Sequence, residues 1–466
     1  MDVDDHDVEE VHSPVDMFIA INHFNSLVRS GYTGEVNRCI QDGYNVNHFD
    51  VKGFTALHHA VCCGNLNMVN ILLKNHANFT ERTWTGLSVM MLAVIRGRLE
   101  IFDIIAEKFA SRNPPIPLNS QFHVNSRKET LLMLACRAGR VNMVMRLLRE
   151  GLDPCEVDCS WETSLHHAFS TPQKPQEQEV VLMLLEYTQN RDFINMKDYY
   201  GNTALHKACK VDIDPLGMVP LSNFLHPERP TRSAVLFDRK ESVKILLGHG
   251  ASISLTNSKK ETALHIAARN KANFLDTLCY AGADSSMQDS NGHTPIHVAT
   301  MMGNRDGSKS LMAVQSICDS DQGFKPSYLK IRDHKGKTPS LLAYACTNYD
   351  VARWSRLPQF YGEEVDIDGN TALHWTARIG AVEEVRWLLD NGANMHVSNL
   401  EGQTPLDFAS MGSGMGSECA RLLQARRRDT RQDALRLAMG QHERLGRDSI
   451  VGLLSPELVR KVAESL

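Results

Sequence analysis

The chain has 466 residues, of which 42% are hydrophobic and 23% charged. That balance argues against disorder throughout, and the length exceeds what one ordinary globular core holds. A formal net charge of −5 gives no overall attraction to nucleic acid or anionic membrane, and no apolar run is long enough to cross a bilayer, so neither is expected as a partner.

In chain order, residues 1–16 form an acidic tail (MDVDDHDVEEVH at its start), the reverse of a basic, then apolar, secretory leader. The expectation is a disordered segment on a cytoplasmic or nuclear protein whose eleven cysteines stay reduced. From residue 17 a pattern recurs. TALH stands at Thr55, Thr203, Thr262 and Thr371, and relatives of it begin at Ser88, Thr130, Thr163, Thr294, Thr338 and Thr404. A half-matching stretch near Asn22 precedes them. Five of the ten intervals between these anchors are 33 residues, which marks an internal repeat. Residues 369–394, GNTALHWTARIGAVEEVRWLLDNGAN, show the plan. Thr371 caps a helix whose apolar face starts at Ala372 and Leu373. Gly380 turns the chain, a second helix carries Val385, Leu388 and Leu389 on one side, and Gly392 ends it. Two such helices cannot bury their apolar faces alone, but stacked copies can.

GxTALHxA, the mid-unit Gly and the LLxxGA ending resemble the ankyrin repeat family, nearly completely at 53–77, 262–283 and 369–393 and at 201–208 with 243–251. The resemblance implies an all-α solenoid of about eleven units over residues 17–425, joined by short β-hairpin loops. It also implies that the recurrent histidines His58, His206, His265, His297 and His374, each following Thr55, Thr203, Thr262, Thr294 or Thr371, are structural: in the family this ring hydrogen-bonds to backbone and ties units together.

Several units depart from the plan. Gly normally stands two residues before the capping Thr; Lys128, Trp161 and Lys260 replace it. Because a non-Gly residue with positive φ is uncommon, those tips are expected to turn differently. Insertions lengthen the chain at 111–123, 170–178, about 210–238 and 318–330, and their Pro content favours extended or disordered loops. Residues 347–362 place Pro358 where a helix should continue, so a distorted unit is expected there.

Family members bind partners on a concave side made of hairpin tips and first helices. Phe54, Trp84, Trp161, Tyr199 and Tyr200 fall at tips, and such aromatics anchor interfaces; the competing reading packs them on a neighbouring hairpin. The search for chemistry finds no constellation. Cys155 and Cys159 lack a second pair at zinc spacing. The paired histidines His58-His59 and His166-His167 fall at the TALH position. The glycines of 412–416 follow a helix, where a dinucleotide loop must follow a strand. No catalytic residue, metal ligand or cofactor is expected, and the chain is read as not an enzyme.

The last forty residues leave the period. A basic cluster spans Arg426 to Arg431, and a helix is plausible through Ala434, Leu435, Leu437, Ala438 and Met439. In SIVGLLSPELVRKVAESL, Ser455 caps, Pro456 suits the first helical position, and Leu458, Val462 and Leu466 form a stripe with period four. With Leu454, Residues 450–466 resemble the opening of an F-box, although Ser455 stands where the first Pro is usual. That resemblance implies a Skp-type adaptor of a cullin ubiquitin ligase as partner; the alternative is a helix that closes the open end of the stack. The favoured reading is a non-catalytic scaffold or adaptor for other proteins, with a ubiquitin-ligase substrate receptor as the second.

Overall fold

A computed structural model describes residues 14–120, 123–170, 176–188, 190, 192–210, 239–270, 273–301, 307–320, 326–354, 364–411 and 418–428. The tail residues Leu454, Leu458, Val462 and Leu466 and the insertion at 211–238 lie outside them. Contacts divide the chain into two compact units, residues 1–258 and 259–466.

The first unit holds helix pairs α1 (Pro14–Ser30) and α2 (Thr33–Gln41), α3 (Ala56–Cys63) and α4 (Leu66–Lys74), α5 (Val89–Arg96) and α6 (Leu99–Ala110), α7 (Leu131–Ala138) and α8 (Val141–Arg149), α9 (Ser164–Ala168) and α10 (Glu177–Tyr187), α11 (Ala204–Cys209) and α12 (Lys240–Gly248). First helices pack in series, α1 on α3, α3 on α5, α5 on α7, α7 on α9, and α9 on α11. This sandwiching explains their composition: seven of the eight residues of α3 are buried, because both flanks face a neighbour. The second helices are amphipathic, burying Met68, Val69 and Leu72 on α4 and Ile101, Phe102, Ile105 and Phe109 on α6. The second unit holds α13 (Ala263–Arg269) and α14 (Leu275–Tyr280), α15 (Pro295–Met301) and α16 (Gly307–Ser320), α17 (Pro339–Ala345) and α18 (Tyr349–Trp354), α19 (Ala372–Ile379) and α20 (Val382–Asp390), then α21 (Pro405–Met411) before a helical stretch at 418–428. It stacks the same way, α13 on α15, α15 on α17, α17 on α19 and α19 on α21. Among the described residues no helix is long and apolar enough to cross a membrane.

Local chemistry accounts for the helix starts in two ways. Where His follows Thr by three residues, the ring completes the cap. His374 Nδ1 accepts the Thr371 backbone N–H at 3.0 Å and lies 2.9 Å from the Thr371 hydroxyl. Thr55–His58, Thr203–His206, Thr262–His265 and Thr294–His297 repeat this at 3.1–3.2 Å and 2.8–2.9 Å. Where the ring is missing, the hydroxyl accepts a third-residue amide: Ser88 from Met91, Thr130 from Met133 and Thr338 from Leu341, at 3.3–3.4 Å, and at Thr130 the Met133 sulfur accepts the Thr130 N–H at 3.4 Å in place of the ring. The Thr hydroxyl expected from sequence therefore shares its capping role with an imidazole.

Those rings also join successive pairs. An Nδ1 that accepts leaves the proton on Nε2, which donates to the residue just before the next capping Thr. His166 reaches Asn202 at 3.0 Å, His265 reaches His293 at 3.0 Å, His297 reaches Lys337 at 3.0 Å and His374 reaches Gln403 at 3.1 Å. Burial disfavours the charged ring and outweighs the accepting carbonyls. It pulls His297 down to about 4, does the same to His58, and lowers His166, His265 and His374.

The expected β-hairpins do not form regular strands. Among the described residues the β pairing outside helices is a single bridge, Arg82 to Ser88. The insertion at 111–123, expected to be extended or disordered, folds back where it is described. Ile116 N–H donates to Phe109 O at 3.2 Å, and buried His123 stands edge-on to Phe109 with ring centroids 4.8 Å apart.

Candidate functional site

Each tip is a tight turn set by a polar residue at its first position, an Asp or Asn except at Thr83, whose hydroxyl accepts the Leu87 amide at 3.1 Å. Asp158 Oδ1 accepts the Ser160 and Glu162 amides at 2.8 and 2.9 Å, and Asp50, Asp198 and Asn125 do the same at their own tips. The second carboxylate oxygen turns inward to a first helix: Asp50 meets His59 Nε2 at 2.9 Å, Asp158 meets His167 Nε2 at 3.1 Å, and Asp198 meets Lys207 Nζ at 3.3 Å. Burial alone would raise Asp50 and Asp158. The histidine bonds and the backbone amides outweigh it and hold both carboxyls below their usual range. With the acid facing in, Val51, Lys52, Cys159, Tyr199 and Tyr200 stay exposed.

Backbone bonds stitch neighbouring tips of the first unit together. Cys159 N–H donates to Arg127 O at 3.0 Å, Tyr199 N–H to Ser160 O at 2.9 Å and Ser258 N–H to Tyr200 O at 2.9 Å. Trp84 extends this row by lying over the preceding tip, since a Cβ on Gly53 would come within 2.5 Å of its Cδ1.

On this frame four of the five named aromatics are exposed: Trp84 by 72%, Trp161 by 63%, Tyr199 by 70% and Tyr200 by 64%. Tyr199 and Tyr200 sit edge to face at 5.4 Å. Phe54 does not join them. Its amide is drawn to Asp50 Oδ1, and the side chain, 7% exposed, packs 5.4 Å from the His59 ring and 5.8 Å from that of His58. Phe54 is therefore a core residue rather than a contact residue. The fifth tip position is buried elsewhere too, at Glu129 and Glu261, where Arg137 and Arg269 neutralise it.

The tips at Lys128, Trp161 and Lys260 keep the turn of the glycine tips, contrary to the sequence expectation. Their φ values are 60°, 61° and 57°, beside 74° at Gly53 and 76° at Gly201. The first-position Asn or Asp and the three-residue turn bonds, Lys128 N–H to Asn125 O at 2.9 Å and Trp161 N–H to Asp158 O at 3.1 Å, impose the left-handed conformation on side chains that resist it.

Sequence reasoning looked for aromatics and so missed the apolar tips of the second unit, Ile367 and Leu400, both exposed. Their signal was their place in the recurring tip. It also missed the three groups Glu129, Asp158 and His167, whose ligand atoms lie within 4.8 Å of one another. Arg137 already neutralises Glu129, and Asp158 spends one oxygen on the turn and the other on His167, so these groups act as internal struts. Cys155 and Cys159 are free thiols, and burial pushes Cys155 up, keeping it protonated at neutral pH.

The family model described as "Ankyrin repeats (3 copies)" matches residues 24–116, 113–193, 232–323 and 341–433. Neurogenic locus notch homolog protein 1 of Homo sapiens is 32% identical over 167 residues, 34% of this chain and 6% of that protein. Neurogenic locus notch homolog protein 2 of Homo sapiens is 33% identical over 151 residues, 32% of this chain and 6% of that protein. Transient receptor potential cation channel subfamily A member 1 of Homo sapiens is 24% identical over 394 residues, covering 81% of this chain and 34% of that one. The chain thus spans only a minor part of each relative. Stacked helix pairs, Thr–His caps bonded to the next repeat and a family match over most of the sequence converge: the chain belongs to the ankyrin repeat family.

Proposed function

We propose that this chain is a non-catalytic recognition scaffold that binds partner proteins on the tips and adjoining first helices of its repeats. The observation that carries this reading is the row of Trp84, Trp161, Tyr199 and Tyr200, exposed on tips of the first unit. Large amphipathic side chains on a braced backbone present contact area with little conformational entropy to lose on binding. Affinity capture with the full chain, beside a Trp84→Ala/Trp161→Ala variant, tests it. Partners bound through this face are lost or weakened at least tenfold in the variant, about 1.4 kcal/mol; partners retained at full affinity refute it. The ligase reading rests on residues 450–466 alone. Its separate test is recovery of a Skp-type adaptor by the full chain and its loss on Leu458→Asp.

A further inference from the structure

We infer that the tip row of the first unit accepts an acidic, extended peptide segment of a partner protein, a refinement that rests on the proposed binding role of these tips. The charge pattern selects the partner. Across tips 50–54, 83–87, 125–129, 158–162 and 198–202, each carboxylate is engaged within the chain: Asp50 with His59, Glu129 with Arg137, Asp158 with His167, and Glu162 and Asp198 with Lys207. The exposed charges that stand beside them, Arg127 and Lys128, are both cationic. Net charge is −5 for the whole chain, so this local excess runs against the average.

The order of the side chains adds to the selection. Trp84, Arg127 with Lys128, Trp161, and Tyr199 with Tyr200 follow one another from tip to tip, so a cationic pair sits between aromatics. A segment laid across the tips would set carboxylates beside Arg127 and Lys128 and apolar side chains against Trp84 and Trp161. Two of these residues, Lys128 and Trp161, occupy the left-handed position that seven sister tips give to Gly, at φ 60° and 61°. Backbone strain held in place by its surroundings is a mark of functional sites. Nucleic acid is the weaker match: single-strand binders track many phosphates with a continuous cationic groove, and this row offers few cations.

The test is selection of random twelve-residue peptides displayed on phage against the full chain, followed by fluorescence anisotropy with the selected peptides. The expected result is enrichment in Asp and Glu interspersed with apolar residues. Affinity should drop at least tenfold on Arg127→Glu/Lys128→Glu and fall as salt rises. Both positions are exposed, so an unchanged circular dichroism spectrum and unfolding midpoint show that the variant folds. If the peptides are not acidic and ignore this variant yet lose binding on Trp84→Ala/Trp161→Ala, the acidic refinement fails and the binding role of the tips stands. If neither variant matters, both fail. Tighter binding of fluorescein-labelled oligouridine RNA than of any selected peptide would also overturn the inference. So would a tenfold gain in peptide affinity when the six acidic residues among residues 1–10 are replaced by Asn or Gln, since the chain's own N-terminal segment would then be the occupant.

Discussion

Replacing Trp161 by Gly is expected to stabilise the fold, although it deletes the largest side chain at the tip. Trp161 holds φ at 61° and exposes 63% of its surface, so little apolar burial is lost. A left-handed residue with a Cβ costs roughly 1–2 kcal/mol, and the extra chain entropy of an unfolded Gly offsets about 0.5–1 kcal/mol of the relief. The net gain is roughly 0.5–1 kcal/mol. Trp161→Ala keeps the strain, so the Gly variant should exceed the Ala variant by about that amount. Gly336→Ala is the reverse experiment. The new Cβ would stand 2.7 Å from the Ile367 backbone nitrogen, which is bonded to Lys335 O at 3.0 Å, and strain plus a displaced bond should cost about 1–3 kcal/mol. Urea midpoints of the full-length variants measure the order, with hydrogen exchange at the Tyr199 and Ile367 amides reporting on each tip. A Trp161→Gly variant less stable than Trp161→Ala would refute the view that the turn, and not the residue, sets this conformation.

His265→Ala should cost about 1–3 kcal/mol, because it removes the bond from the next repeat's His293 carbonyl, leaving that oxygen only the Asp289 amide, and the ring that shares the Thr262 cap; a loss below 0.5 kcal/mol in urea titration would show the ring to be dispensable. Acid should weaken the fold before the carboxylates titrate. His58 and His297 are held near 4 against an ordinary 6.5, so the unfolded chain binds more protons between those values. Stability is then full above about pH 6.5 and falls as pH drops toward 4, by up to about 1.4 kcal/mol per pH unit for each ring; a flat urea midpoint from pH 7 to 4.5 would contradict this. Phe102→Ala, at a fully buried position of α6, should cost about 3–5 kcal/mol, while Trp84→Ala, at an exposed tip, should stay within about 0.5 kcal/mol; equal losses in thermal melts would mean the exposure pattern is misread.

The repeat was legible because its constraints are local. A Thr three residues before His, a Gly where φ must be positive and a period of 33 each leave a mark in the letters. Tip geometry was less so. At 128 and 161 the identity of one residue argued for a new turn, but the conformation was set three residues earlier, by the carbonyls and side chains of Asn125 and Asp158. Phe54 was misplaced for a related reason: a residue next to a tip can face in or out, and the amide bond to Asp50 that decides it is not encoded in hydrophobicity. The cationic surplus was hidden because acids and bases are balanced in the letters, and only the pairing of Glu129 with Arg137 and of Glu162 with Lys207 shows which charges remain exposed. The exposed apolar tips Ile367 and Leu400 carried no aromatic flag at all.

The backbone bonds that run from Arg127 to Cys159, from Ser160 to Tyr199 and from Tyr200 to Ser258 work like the spine of a comb. The teeth keep their pitch whatever residue each one carries. Chemistry can thus be exchanged tooth by tooth without disturbing the next, whereas excising one whole repeat would slide every later tooth out of phase with a bound ligand. Within this unit, evolution by substitution tunes what is gripped, and evolution by repeat loss resets the reading frame of the grip.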